Sequence, residues 1–348
     1  MWKQSQLSKT LGIEFPIIQA PMAGGATTPE LIAAVSNAGG LGSLGAGYLP
    51  PQILQQTIRE IRAKTAKPFA VNLFIPEKYH TDLTQQQKIC DRINKIAGEL
   101  NVNAEPLNPP FAPDFDAQME VIIQEKVPVF SFTFGIPSIN WLKALKVKQI
   151  ITLGTATSLV EAKELQTNGI DFIVAQSVEA GGHRGSFIED ALLGNRALIP
   201  HLVSQIRTPI IAAGGIMNAR GILAALLLGA DSVQMGTAFL TCPESGIHPA
   251  YKKILLIQNE DRTVLTKAFS GKWARGINNK FIREMGNEVL DYPVQNALTG
   301  SMRKLAAKHD ATDFMALWSG QAAFLSRGIS AHELIKELSS EVEYLIRK

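Results

Sequence analysis

Cysteine is scarce: Cys90 and Cys242 are the only two in 348 residues. A pair supplies neither a disulfide framework nor a thiolate metal cluster, and such usage suits a reducing compartment such as the cytoplasm. Charge is also thin. Asp, Glu, Lys and Arg make up 19% of the chain, against a usual share of about 25%, which disfavours a disordered chain and favours a large buried core. The net charge of +3 comes from Lys and Arg scattered along the sequence. That gives weak general attraction for anions and no nucleic-acid footprint. The most apolar helical stretch, Ile222–Leu228, is bracketed by Arg220 and Asp231 and is too short to span a bilayer. The opening Met1-Trp2-Lys3-Gln4 lacks the charged-then-apolar pattern of a signal peptide, so the expectation is a cytoplasmic protein with no membrane association. His201, His248, His309 and His332 have no metal-ligand spacing, and His332-Glu333 lacks the second histidine of a zinc-protease helix. No metal is expected.

What is present is 46% hydrophobic residues, arranged as alternating strand-like and helix-like segments. The strand candidates are Pro16–Ala20, Leu41–Ala46, Pro68–Phe74, Pro128–Phe134, Gln149–Leu153, Asp171–Gln176, Pro209–Ala213 and Asp231–Met235. Between them lie helical periods: Thr28 reads as an N-cap with Pro29 at the first helical position. Ile53, Leu54, Ile58 and Ile61 follow the 3.6-residue repeat. Eight nearly continuous apolar strands separated by helices predict parallel strands buried on both faces, closed as a (β/α)₈ TIM barrel. An open doubly wound sheet is the competing topology. Two stretches break the repeat. Pro76–Gln118 is polar and punctuated by Pro106, Pro109, Pro110 and Pro113; Glu244–Asp310 is polar and helical in pattern. They are expected to form one mainly helical cap over the barrel mouth (76–118 and 244–310), leaving 1–75, 119–243 and 311–348 as the barrel.

Chemistry in such folds collects at the carboxyl ends of strands. The sixth strand ends at Gln176 and runs into Ser177-Val178-Glu179-Ala180-Gly181-Gly182-His183-Arg184-Gly185. This small loop places a histidine, the side chain best suited to moving a proton near neutral pH, at the mouth. The seventh strand ends in Ala213-Gly214-Gly215 and the eighth in Gln234-Met235-Gly236-Thr237. Loops after these two strands commonly cradle a phosphate: glycines let amides approach its oxygens, and a helix N-terminus adds favourable potential. Ordinary tight turns are the plainer reading of either loop alone; their consecutive placement favours a phosphate. A cofactor with one phosphate and a large ring then lies across the mouth, and FMN fits better than a dinucleotide because no G-x-G-x-x-G fingerprint with a downstream acid is convincing here. Ala20, Pro21, Met22 and Ala23 end the first strand and offer amides and a thioether to a ring edge, while Asn72 and Gln176 can both donate and accept.

Taken together these stretches resemble the nitronate monooxygenase family, formerly called 2-nitropropane dioxygenases, and its bacterial class I branch. The likeness rests on Gln19-Ala-Pro-Met-Ala-Gly-Gly, Gly40-Leu-Gly-Ser-Leu-Gly-Ala-Gly-Tyr, Gln176 through Gly185, Ala212-Ala-Gly-Gly-Ile and Gln234-Met-Gly-Thr. Phe269-Ser-Gly-Lys-Trp-Ala-Arg-Gly, Tyr292-Pro-Val-Gln-Asn-Ala-Leu-Thr and Trp318-Ser-Gly-Gln extend it almost to the end of the chain. Lys272-Trp273 stands where the family pattern has Arg-Pro. The glycine and histidine motifs are shared with flavin-type enoyl-ACP reductases, so the C-terminal motifs carry the finer assignment. The resemblance implies an FMN enzyme that oxidises alkyl nitronates, propionate 3-nitronate being the type, with O₂ to an oxo acid and nitrite. It implies a catalytic His183, acting either as a base or as a donor to nitronate oxygens. Tyr292 and Arg275 are the candidate substrate contacts, and Lys272 reads as part of a solvated basic face. The oligomer is expected to be a monomer or homodimer. Rival readings are an NAD(P)H-dependent flavin reductase and a non-catalytic flavin- or phosphate-sensing protein.

Overall fold

The computed structural model describes residues 2–189 and 191–348; Met1, quoted above for the N-terminus, lies outside them. Among the described residues there are eleven strands: β1 (Ile17–Gln19), β2 (Gly42–Gly45), β3 (Phe69–Phe74), β4 (Val129–Thr133), β5 (Ile151–Ala156), β6 (Phe172–Gln176), β7 (Gly182–His183), β8 (Ile210–Ala213), β9 (Ser232–Met235), β10 (Thr263–Thr266) and β11 (Ala274–Ile277). Eight of them form one parallel sheet in the order β1-β9-β8-β6-β5-β4-β3-β2. Its two edges meet: Gln19 N–H donates to Leu41 O at 2.9 Å, and Leu41 N–H to Ile17 O at 2.9 Å. The strands close a TIM barrel, with helices between them, as the uninterrupted apolar runs predict.

Burial explains the closure. Ile18, Ala70, Val129, Leu153, Val174 and Ile211 pack inside the barrel, all but fully buried. Their alternate neighbours, such as Ile17, Val71, Phe130 and Ile173, face the helical wall. A short helix that the sequence pattern did not reveal, Gln6–Leu11, joins Leu7 to the interior cluster. Its first two amides, Gln6 and Leu7 N–H, bind the Asp231 carboxylate at 2.6 and 3.1 Å. The helix caps follow local chemistry: Thr28 accepts from Leu31 N–H ahead of Pro29, and Asn218 accepts from Gly221 N–H. Ser330 and Glu333 form a capping box on the last helix, Ala331–Arg347. Among the described residues no helix is long and apolar enough to cross a membrane.

A second buried cluster lies apart from the barrel wall. It joins Cys90, Ile93 and Ala104 to Tyr251, Phe269, Phe281 and Met302, and takes in Phe314, Met315 and Leu317. Helices Leu83–Ile96, Pro249–Ile257, Lys280–Met285 and Gly300–Lys308 build it. The segment expected to be largely helical also contains an antiparallel pair, β10 with β11, and β11 pairs in turn with the two-residue β7 after the sixth barrel strand. That three-stranded sheet joins the helical layer to the barrel.

One buried carboxylate organises the loop that follows β7. Glu161 is fully buried; its Oε2 accepts from Thr157 N–H at 2.6 Å and Thr157 hydroxyl at 2.9 Å. Its Oε1 accepts from Phe187, Ile188 and Glu189 N–H at 2.6, 3.0 and 3.4 Å. Glu161→Ala leaves these donors unpaired, and its expected cost is about 3 kcal/mol. Denaturant unfolding measures the loss, and protease nicking should concentrate near Phe187–Glu189; an unchanged unfolding midpoint refutes the role.

Candidate active site

The barrel's carboxyl ends open into a cavity of about 500 Å³. Of the residues singled out from the sequence, Ala20, Pro21, Met22, Ala23, Asn72, Gln176, Gly181, Gly182, His183, Ala213, Gly214, Gly215, Gln234, Met235, Gly236 and Thr237 all line it. They come from six different strands, so only the closed barrel brings them together.

The first-strand loop is held by Thr27, whose hydroxyl accepts from Gly45 N–H at 2.9 Å and donates to Met22 O at 3.3 Å. Gly45 is required there, because a Cβ would lie 2.4 Å from Ala23 N. At the opposite end of the chain order, Gly214 and Gly215 adopt φ of 111° and 67°, the left-handed region open to glycine. The N–H groups of Gly215, Ile216, Gly236 and Thr237 have no acceptor among the described residues. Thr237 hydroxyl accepts from Gly320 N–H at 2.9 Å, leaving its own proton available. Unpaired amides converging on a cavity are costly unless water or a ligand accepts from them. These amides are free to donate to the acceptor atoms of a ligand.

The His183 loop is fixed from several sides. Gln176 Nε2 donates to His183 O at 2.9 Å, and Gln176 Oε1 accepts from Gly185 N–H at 2.7 Å. Gln176 therefore spends most of its amide on the loop, with one N–H left for a ring. Arg184 is buried under the loop, donating to Ser177 O at 2.6 Å and Ala191 O at 2.9 Å. Arg184 N–H binds Trp273 O at 2.7 Å, and His183 stands opposite Ala274 in the β7–β11 pairing. Asn72 donates to Ser131 hydroxyl at 3.0 Å, which turns its amide along the strand ends.

Aromatic rings enclose the imidazole: Trp318, Phe134, Tyr292 and Phe74 have centroids 5.6, 5.9, 6.1 and 6.3 Å from that of His183. His183 Nε2 lies 2.9 Å from Ser270 hydroxyl. That hydroxyl donates to Lys272 O at 3.1 Å and accepts from Lys272 N–H at 3.3 Å, so its remaining lone pair takes the proton of Nε2. The network assigns the Nε2–H tautomer and leaves the Nδ1 lone pair without a partner among the described residues. Burial, and next the charges of Lys272 and Arg303, push the imidazole pKa down to about 3. His183 is neutral.

Three sequence-based expectations need correction. Arg275 does not reach the cavity: its guanidinium is buried in the β7–β10–β11 sheet, where Nε donates to Val178 O at 2.9 Å and Nη1 to Thr263 hydroxyl at 3.1 Å. Its strand places it opposite Gly182, and its side chain braces the back of the histidine loop. Tyr292 packs edge-on to the His183 ring, with centroids 6.1 Å apart, but is not part of the lining, whereas Tyr48 is. Burial pushes both phenols up, Tyr48 to about 12. Lys272 is no solvated face either. Its Nζ binds both Glu77 oxygens, at 2.7 and 2.8 Å, and sits 4.5 Å from the Phe134 ring centroid.

The sequence reading did not single out Tyr48, Asn296 or Arg303, which also line the cavity. Tyr48 follows the second strand, the same strand-end signal used for the others, and was legible on that ground. Arg303 sits one turn from Ala307, another lining residue, in a helix otherwise unmarked by any motif.

The sequence profile of the nitronate monooxygenase family matches residues 4–341. A protein named probable nitronate monooxygenase from Staphylococcus haemolyticus is 43% identical, covering 99% of each chain. A counterpart of the same name from Staphylococcus aureus is 42% identical over 100% of this chain and 99% of its own. Among solved structures, a nitroalkane oxidase from Streptomyces ansochromogenes superposes with a TM-score of 0.91 at 36% identity, covering 98% and 99% of the two chains. FabK from Thermotoga maritima superposes at 0.79 with 31% identity, covering 99% and 97%.

The depressed imidazole predicts an acid sensitivity. In the unfolded chain the histidine protonates near 6.5, in the fold only near 3, so between those values the unfolded state holds the extra proton. Stability from this group is present above about pH 6.5 and falls with decreasing pH, by at most about 1.4 kcal/mol per unit. His183→Asn removes the titration. Its melting temperature, in protein stripped of any bound ligand, should fall less steeply from pH 6.5 to 4.5 than the parent's; parallel curves contradict the assignment.

Proposed function

Because this chain belongs to the nitronate monooxygenase family, whose members are oxidoreductases, we propose that it uses FMN and O₂ to oxidise alkyl nitronates of the propionate 3-nitronate type. The products are an oxo acid and nitrite, and the role is detoxification in the cytoplasm. The observation that carries the reading is the pairing, in one cavity, of an unsatisfied amide cradle with a neutral histidine whose free nitrogen is Nδ1.

The residues present fit FMN. The cradle of Gly215, Ile216, Gly236 and Thr237 suits a phosphomonoester. Asn72, the spare N–H of Gln176, and Gln234, whose side chain has no partner among the described residues, suit the polar edges of the ring. Pro21–Ala23 border the same space with backbone and a thioether. Bound FMN supplies the electron-accepting ring that an electron-rich nitronate carbon needs. His183, held as the Nε2–H tautomer by Ser270, offers Nδ1 as acceptor for the α-proton of a nitroalkane, which converts it to the nitronate. The neutral ring keeps Nδ1 open as an acceptor, while the burial that holds it neutral also lowers its basicity; service as a cationic donor needs a proton that the buried site resists. The phenyl and indole faces of Phe74, Phe134 and Trp318 keep water from that nitrogen.

The deciding experiment is an absorbance spectrum of the purified protein followed by anaerobic titration with propionate 3-nitronate. Bleaching of the flavin bands by the nitronate alone is expected. Bands that stay oxidised with nitronate but bleach with NADH transfer the protein to the NAD(P)H-dependent flavin reductases. Tight FMN binding with no response to either leaves a sensing protein. His183→Asn is expected to keep its FMN and lose about 10² to 10⁴ of its turnover of nitroalkanes, the span typical of general base catalysis; undiminished turnover removes His183 from the chemistry.

A further inference from the structure

The cavity has an unusual charge balance. Among the described residues that line it there is no carboxylate, and Arg303 is the single permanently charged side chain. Lys272, the other cation acting on His183, lies outside the lining and is neutralised by both oxygens of Glu77. Arg303 has no such partner. Its Nη2 is oriented by Asn296, donating to the backbone oxygen at 2.7 Å and to Oδ1 at 3.0 Å, both uncharged acceptors. Nε is buried with no hydrogen-bond partner, and Nη1 has no protein acceptor among the described residues. Three N–H donors on a held, desolvated guanidinium are therefore unused.

Leaving a buried cation unpaired is expensive, and the usual resolution is an anion that completes it. The amide cradle at Gly215 and Gly236 already suits the cofactor phosphate, without any cationic side chain. The charge of Arg303 is felt instead at His183 and Tyr48, which puts it on the reacting side of the cavity. The unused N–H groups, on Nε and Nη1, do not form a side-by-side pair, since each parallel edge of the fork includes Nη2; a charge-assisted bond from one of them to a carboxylate oxygen is still stronger than a bond to a neutral acceptor. We propose that Arg303, positioned by Asn296, binds a carboxylate at the far end of the nitronate substrate from the carbon that His183 serves. The site thus selects short nitronates that also carry a carboxylate over neutral-tailed alkyl nitronates. This inference rests on the nitronate reading of the same cavity.

Succinate tests the site without chemistry, because it replaces the nitronate group of propionate 3-nitronate with a second carboxylate of similar shape. FMN-loaded protein and its Arg303→Met and Arg303→Lys variants are titrated with succinate, reading flavin absorbance and tryptophan fluorescence. Kinetics with propionate 3-nitronate and ethyl nitronate are then compared. Succinate should bind Arg303→Met at least about 30-fold more weakly than the parent, with Arg303→Lys in between. The loss in kcat/KM on propionate 3-nitronate, carried mainly by KM, should exceed that on ethyl nitronate by a similar factor. Equal losses on the two nitronates, undiminished succinate binding, or loss of FMN from Arg303→Met would each overturn the assignment. Succinate binding that depends on Arg303, in a protein that turns over no nitronate, upholds this site and sinks the functional reading instead.

Discussion

The structure depends on a two-residue strand. β7, Gly182–His183, is far too short to be stable alone, yet it pairs with β11 on one side and is tied to the end of β6 by Gln176 on the other. Beneath it, Arg184 is 1% exposed and is bonded to backbone oxygens on both flanks of the loop. A charge that deeply buried persists only when its donors are met. The arrangement fixes a loop that, as a run of small residues, would otherwise be mobile. Once it is fixed, the imidazole position, the β7–β10–β11 sheet and the seating of the helical layer on the barrel follow together.

The same constraint separates two kinds of arginine. Arg184 and Arg275 are framework cations, their donors spent on Ser177, Ala191, Val178 and Thr263. Lys272 is a clip between Glu77 and the strand-bearing segment, joining the two stretches that interrupt the barrel repeat. Lys272-Trp273 serves as a structural pair: Trp273 O accepts from Arg184 N–H while Lys272 backbone orients Ser270. The tautomer of His183 is thus set by main chain two residues beyond the serine.

The barrel was legible because parallel strands buried on both faces leave continuous apolar runs, as in Ile210–Ala213 or Val129–Thr133, and their ends fall at glycines and amides. Those ends supplied the barrel's share of the lining, while Tyr251, Asn296, Arg303 and Trp318 come from the segments beyond the last barrel strand. The β10–β11 pair was not legible. Its strands, Thr263–Thr266 and Ala274–Ile277, mix Thr and Arg with aliphatics, show no clean alternation, and pair across a connection rich in Lys and Gly. Misplacing Arg275 followed directly, since without the sheet register nothing in the sequence says that it faces the back of the His183 loop. Arg303 escaped for a different reason. Its meaning is carried by what the other lining residues lack, a carboxylate, and an absence spread over a dozen segments has no local spacing.

Charge placement also explains why histidine and arginine do not compete in one cavity. A protonated His183 would stand near Arg303 with no acid to offset either; burial and the two neighbouring cations keep the ring neutral. Neutrality keeps the Nδ1 lone pair open, while Arg303 carries the one permanent charge among the described residues that line the cavity. Desolvation by burial is the first cause of that neutrality, ahead of Lys272 and then Arg303, so an anion at Arg303 relieves only the smallest of the three and burial still holds the ring neutral.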